Sequence, residues 1–258
     1  SKLWRGVFSM CAKKVPASPP MPTMLSAHEL SPSWGLAAVV DCETTGFDYE
    51  KDELIEIAVV LFAFDRETHE VKGLVDEYVG QREPGRSIPR DATAVHGLTK
   101  RMLKGKDLDY VRLREIARRA EFYVAHNADF DERFCGCYFP PRPWYCSMRH
   151  VVWTTRTEKW QKLEKLLRRY GITEKQTHRA IDDAKGLLTL LSLRNKAGET
   201  FLHEMITRAE RQKEALERLR REAAATRVHE ETERKRPRAG CLTLTCPILT
   251  LVYLLSRC

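Results

Sequence analysis

The sequence has 258 residues, of which 43% are hydrophobic and 31% charged, with a formal net charge of +8. That size suits one well-packed domain with appendages and excludes a second large one within this chain. The basic balance favours polyanionic partners, and the 8 cysteines lack paired CxxC spacing, so they read as reduced thiols rather than a disulfide framework or zinc site.

Residues 1–34 are rich in Pro, Ser and Met, carry Lys2, Arg5, Lys13 and Lys14, and have no acidic residue before Glu29. This composition fits a flexible leader better than a mitochondrial-type targeting segment. Order is expected from Gly35. The run LAAVVDCE ends an apolar stretch on acids, as a buried central strand would. Leu54 to Phe64 is long and β-branched, and Lys72 to Val79 alternates, so the three predict an antiparallel meander. Leu108 to Ala120 has helical spacing, Phe122 to Ala125 reads as a strand, and Asp129 to Tyr138 as a short helix. Trp160 to Tyr170 is a helix stopped by Gly171, and Ala180 to Leu193 a last core helix. A meander followed by alternating helices and strands predicts an α/β fold with a mixed central sheet flanked by helices, over residues 35–198. Residues 199–239 read as a charged helical extension, solvated or partner-binding, with a thin seam of Leu202, Met205, Ala209, Leu216 and Leu219. The apolar tail, 240–258, would cover about 22 Å as a helix against a hydrocarbon core of about 30 Å. It also contains Pro247, so a packing segment or a non-native terminus is preferred to a membrane anchor.

Three segments carry chemistry. In VVDCETTGFD, strand alternation points Asp41 and Glu43 one way and Cys42 the other. Like charges 4 Å apart repel by roughly 4 kcal/mol at an effective dielectric of about 20, and a divalent cation reverses that sign. An acidic strand end entering a loop is an equal reading of this segment alone. AHNADFDERF puts His126 and Asn127 at a strand end and Asp131 at the start of a helix, where an Asp also serves as a dipole partner. THRAIDDAKGLLTLL puts His178 just before a helix and Asp183 in its first turn, which by itself is also ordinary.

In this order and spacing, the segments resemble the DnaQ-like (DEDDh) 3′→5′ exonuclease family, which includes the proofreading subunit of bacterial DNA polymerase III. The family's Asp-x-Glu falls on Asp41 and Glu43, the Asp of its HNxxFD pattern on Asp131, and its His and Asp pair on His178 and Asp183. AVHGLT, from Ala94 to Thr99, and YCSMR, from Tyr145 to Arg149, match further family segments. The resemblance covers roughly residues 35–193. Cys42 departs from the Thr of many relatives, a change tolerated by a side chain pointing away from the acids, and the family's clamp-binding motif is not evident.

The resemblance implies a ribonuclease H-like fold and two Mg²⁺ or Mn²⁺ ions per active site. It assigns Asp41 to both ions, Glu43 and Asp183 to the nucleophile-bearing one, and Asp131 to the second, through water. His178 becomes the general base, suited by an imidazole range near about 6.5. Thr44, Thr45, His96, Asn127 and Phe130 are implied substrate contacts, with Thr44 and Thr45 on the terminal nucleotide and His96 at the 3′ end. Phe47 or Phe130 would stack on bases, against the plain alternative of core packing. Arg90 and Arg179 are candidates for phosphate contacts. The expected activity is release of nucleoside monophosphates from single-stranded or frayed DNA 3′ ends, in proofreading or repair, in the cytoplasm or nucleoid. RNA ends or short oligonucleotides are the alternative substrate. A non-catalytic nucleic-acid-binding module is disfavoured, because all five catalytic positions are filled.

Overall fold

The computed structural model describes residues 19–153, 161–173 and 178–235. Three long strands come first: β1 (Trp34–Thr44), β2 (Leu54–Asp65) and β3 (Val71–Gln81). Two short helices follow, α1 (Arg90–His96) and α2 (Lys100–Leu103), then α3 (Tyr110–Arg118). The second half runs β4 (Tyr123–Ala125), α4 (Ala128–Cys135), β5 (Trp144–Cys146), α5 (Ser147–His150), α6 (Leu163–Arg169), α7 (Ala180–Ser192) and α8 (Phe201–Lys235). The sheet order is β3-β2-β1-β4-β5; β1, β2 and β3 pair antiparallel, whereas β4 and β5 join β1 in parallel. This is the mixed, helix-flanked sheet that the sequence predicts.

Alternation along β1 and β2 sends successive side chains to opposite faces, and both faces are covered. Ala37, Val39, Ala58, Val60 and Phe62 meet Ala184, Leu187, Leu188 and Leu191 of α7. Ala38, Val40, Cys42, Ile57, Val59 and Leu61 meet Leu113, Ile116 and Ala117 of α3, with Cys135 and Phe139. Double coverage explains why eleven of the twelve residues of β2 are buried and why its sequence is apolar rather than alternating. Asp41 and Glu43 therefore lie on the α7 face and Cys42 on the other.

The structure moves two boundaries expected from composition. Backbone order precedes Gly35: Leu25 N donates to Leu74 O at 2.7 Å and Leu74 N to Thr23 O at 2.8 Å, so residues 23–25 run as a short parallel bridge along β3. A free edge of β3 had unpaired backbone groups, and the Pro-rich segment supplies them. At the other end, Phe201, Leu202, Met205 and Ile206 are buried in the α7-side core, and one compact unit runs to Arg211. The Phe201 ring sits 4.8 Å from Trp153 and edge-on to Tyr170 at 5.6 Å. Dense flanking charge concealed this anchor. The second unit begins at Gln212, and there Leu216 and Leu219 are exposed. Among the described residues no helix is long and apolar enough to cross a membrane. The sequence readings for residues 1–18, Trp160 and the apolar tail lie outside the described residues.

Removing the Phe201 ring should cost about 3–5 kcal/mol, as for other fully buried aromatics. Leu216→Ala should stay within about 0.5 kcal/mol, as an exposed position does. Urea unfolding of the two variants checks this; equal effects would contradict the packing described.

Candidate active site

β1, β4 and β5 run parallel, so their C-terminal ends open at one edge of the sheet, the usual place for ligands in open α/β sheets. Asp41 and Glu43 project there from β1, and the first turn of α7 brings Asp183 to them. One carboxylate oxygen from each of the three lies within 4.8 Å of the others. Burial raises the Asp41 carboxyl well above the carboxylate range, and the charges of Asp131, Asp183 and Glu43 push it further. Glu43 is pushed up to about 8 by burial and then by Asp183, Glu56 and Asp131, against the opposing charge of Arg179. Three acids this close, on a half-buried strand end, are stable together only if protons or a cation offset their charge. An all-oxygen donor set of this kind fits a hard divalent cation such as Mg²⁺ or Mn²⁺.

Asp131 adjoins this trio but is engaged differently. It is buried on α4, and its Oδ1 accepts the Cys42 N–H at 3.1 Å, fastening the helix to β1 between the two strand acids. Burial pushes Asp131 up to about 7, against the hydrogen bonds from Cys42, which lower it. His178, half-buried, precedes α7 with φ 49°, in the left-handed region. For a residue other than glycine this is uncommon and marks a locally constrained backbone.

The threonines expected to hold a nucleotide turn inward instead. The Thr45 side chain is fully buried; its hydroxyl donates to Asp52 Oδ1 at 2.9 Å and accepts from Glu53 N at 3.0 Å. Thr44 donates to Gly46 O. The Thr45 hydroxyl ties the turn after β1 to the residues just before β2, the Thr44 hydroxyl closes the turn on itself, and Thr45 can offer a ligand only backbone. At Gly46 a Cβ would lie 2.3 Å from the Asp52 carboxylate, so a larger residue there would push Asp52 away from Thr45. Phe47 follows, 88% exposed, with its ring 6.0 Å from Phe130, which packs on Phe134 at 4.8 Å. Phe130 is thus a support beneath Phe47 rather than an exposed ring.

His96 ends α1 and is buried. Gly97, left-handed at φ 73°, caps that helix. The His96 Nδ1 accepts the Leu98 N–H at 3.0 Å, while Nε2 is buried without a hydrogen-bond partner. Burial holds this imidazole below its ordinary range, hence neutral, with Nε2 carrying the proton. Asn127 is exposed at the head of α4 and its side chain does not cap the helix. Its neighbour His126 is buried between Ser147 Oγ, 2.9 Å from Nδ1, and Gln161 O, 2.6 Å from Nε2, and so ties β4 to α5 and the segment before α6.

The sequence reading missed what lies behind Glu43. In the register, Glu43 faces Glu56 on β2, which faces Gln81 on β3. Glu56 is completely buried; Gln81 Nε2 donates to it at 2.7 Å, Arg179 Nε at 3.0 Å and Ala180 N at 3.2 Å. Burial raises the Glu56 carboxyl, but the bonds from Arg179 and Gln81 outweigh it and leave it below the usual range. Arg179 is therefore committed to Glu56 rather than to a phosphate, because a buried carboxylate without a cation is costly. The available signal was one Glu within the apolar run of β2. Arg90 begins α1 and is exposed.

Residues 38–191 match a family model described as an exonuclease, RNase_T. The chain is similar to the PolC-type DNA polymerase III of Thermotoga maritima, with 31% identity over 182 residues. That alignment takes in 65% of this chain and 13% of the polymerase. It is also similar to DNA polymerase III subunit epsilon of Treponema pallidum, 30% identical over 163 residues, covering 59% of this chain and 73% of the subunit. A solved structure, Exonuclease X in complex with 5′ overhanging duplex DNA, aligns at 22% identity and TM-score 0.44, over 65% of this chain and 99% of that one.

The crowding sets a pH dependence in the metal-free protein. Carboxyls raised on folding contribute fully below their unfolded range, about pH 4, and that contribution is lost as pH rises through the folded value. For Glu43 the upper limit is about 8. In EDTA, Tm should fall across this window, and Mg²⁺ or Mn²⁺ should flatten the slope. An Asp41→Asn/Glu43→Gln variant should lose most of it; the same slope in that variant would contradict the assignment.

Proposed function

The chain belongs to the exonuclease family whose model covers residues 38–191, and on that basis we propose that it removes nucleoside monophosphates from DNA 3′ ends by divalent-metal-dependent phosphodiester hydrolysis. The observation carrying this reading is the meeting of Asp41, Glu43 and Asp183 within 4.8 Å at the open end of β1, where burial and then neighbouring charge make the Asp41 and Glu43 carboxyls hard to ionise. The choice of DNA and of a proofreading or repair setting is supported by the polymerase III relatives, and we place the activity in the cytoplasm or nucleoid on that reading.

Two ions, when bound, supply a water acidic enough to attack at neutral pH and positive charge beside the phosphate and leaving oxygen. The chain's residues divide the remaining work. Asp41, Glu43 and Asp183 would hold the ions, and Asp131, bonded to the Cys42 amide, keeps α4 in register with β1 and adds negative charge near Asp41. His178 accepts the proton of the attacking water on its imidazole, from a backbone fixed in the left-handed region. His96, buried beside the Thr44 backbone, is assigned to the 3′-terminal nucleotide through its Nε2–H, which has no well-formed partner. Asn127, exposed at the head of α4, reaches the substrate from the other side. Phe47, braced by Phe130, stacks on a base near the 3′ end, which favours single-stranded or frayed ends. Leu216 and Leu219 of α8 are the exposed apolar positions that support a protein-partner role for that segment.

The test uses the full chain with Mg²⁺ or Mn²⁺ on 5′-labelled single-stranded DNA, frayed duplex and RNA. A ladder of stepwise shortening from the 3′ end, stopped by EDTA and by Asp41→Ala, is expected; undiminished cleavage by Asp41→Ala or Asp183→Ala would overturn the site. A ladder on RNA alone would reassign the substrate.

His178→Ala should retain metal affinity and lose about 10²–10⁴-fold in kcat. Phe47→Ala should weaken kcat/KM on single-stranded ends by the equivalent of about 1–3 kcal/mol, one stacked base. Steady-state kinetics on a short oligonucleotide reads both.

A further inference from the structure

His69, in the turn between β2 and β3, meets His203, in the first turn of α8. Their Nδ1 atoms are 3.1 Å apart, and the ring centroids are 5.1 Å apart at an interplanar angle of 42°. The exonuclease reading uses neither residue.

The surrounding backbone holds the two rings in place. His69 sits in the left-handed region at φ 54°, and its N–H donates to Asp65 O at 2.8 Å. A single hydroxyl ties the two histidines together. Thr200 Oγ1 donates to His69 O at 3.1 Å and accepts from His203 N at 3.1 Å. Behind the pair, Phe64 lies 6.1 Å from the His69 ring. Half-burial holds His69 below the ordinary imidazole range, with the charge of His203 adding to the effect, so the ring is neutral at pH 7. The two Nδ1 atoms share one hydrogen bond, so on metal binding the proton between them moves to the Nε2 of the ring that carries it and both Nδ1 lone pairs face the ion.

With metal–nitrogen bonds of about 2.0–2.1 Å, two nitrogens this far apart subtend about 100° at an ion equidistant from both, which suits adjacent ligands. The geometry points to a chelating site formed by His69 and His203 for a late first-row divalent cation, Zn²⁺ in the first instance. Paired imidazoles suit Zn²⁺, Ni²⁺ or Cu²⁺, whereas Mg²⁺ prefers the oxygens of the carboxylate trio, so the two sites differ in metal class. Glu199 adds a further element. Its Oε1 lies 4.0 Å from His203 Nε2, on the side away from Nδ1. That distance is too long for a hydrogen bond, but it places a carboxylate charge beside the Nε2 side of His203 when Nδ1 ligates. Water completes the coordination. An ion here clips the β2–β3 turn to the first turn of α8.

Two measurements on the full chain test this, both in excess Mg²⁺ to fill the carboxylate cluster. Calorimetric titration with Zn²⁺ should show one site in the wild-type protein. Its affinity should fall at least about tenfold in His69→Ala and in His203→Ala, since even loss of an outer partner commonly costs that much. Cu²⁺ at one equivalent should give an electron paramagnetic resonance spectrum with hyperfine coupling to two nitrogens, reduced to one or none in the variants. Because the spectrum is read on the wild-type protein, it decides the matter even where a variant folds poorly. Unchanged Zn²⁺ affinity in both variants, or a wild-type spectrum with oxygen ligands only, would overturn the site.

Discussion

Charge crowding at the end of a buried sheet is the constraint on which the rest of this structure depends. Four carboxylates, Asp41, Glu43, Asp131 and Asp183, converge there, and Glu56 adds a fifth directly across the strand from Glu43. In a region shielded from water such a set is unstable as anions. The fold offsets part of the charge internally: Arg179 and Gln81 take Glu56, and the Cys42 amide takes one oxygen of Asp131. Asp41 and Glu43 remain crowded by the neighbouring carboxylates, and a bound cation would offset that crowding.

Rigid elements place each member. β1 is central in the sheet, with β2 and β4 on either side, so Asp41 and Glu43 have little freedom to move apart. α7 lays its apolar face along β1 and β2 and thereby delivers Asp183. Glu56 also accepts the Ala180 N–H at the first residue of that helix, so the residue that takes Arg179 anchors the start of α7 as well. The turn after β1 is held by the Thr45 and Asp52 hydrogen bonds, and it leaves Phe47 outside on a base of Phe130 and Phe134.

Much of this was legible in the sequence because strand alternation and helical spacing translate directly into faces. The paired direction of Asp41 and Glu43, the opposite direction of Cys42, the meander and the start of α7 near Asp183 all follow from that rule. What stayed hidden depended on partners distant in the chain. Arg179 reads as one more basic residue until β2 places Glu56 beneath it. Thr45 looks like a ligand contact until Asp52 and Glu53 return to accept from and donate to its hydroxyl, and Thr44 until Gly46 accepts its own. The pairing of residues 23–25 with Leu74 depends on a sheet edge that composition does not reveal. The buried start of α8 was masked by the surrounding charges, since Phe201 and Met205 sit in one of the most charged stretches of the chain.

The central claim is that the trio of Asp41, Glu43 and Asp183 holds a divalent cation. Anomalous scattering from crystals soaked in Mn²⁺ tests it most directly. A manganese peak enclosed by these three carboxylates is expected, lost in Asp41→Asn crystals. Manganese absent from that position, while the carboxylates keep their arrangement, would contradict it.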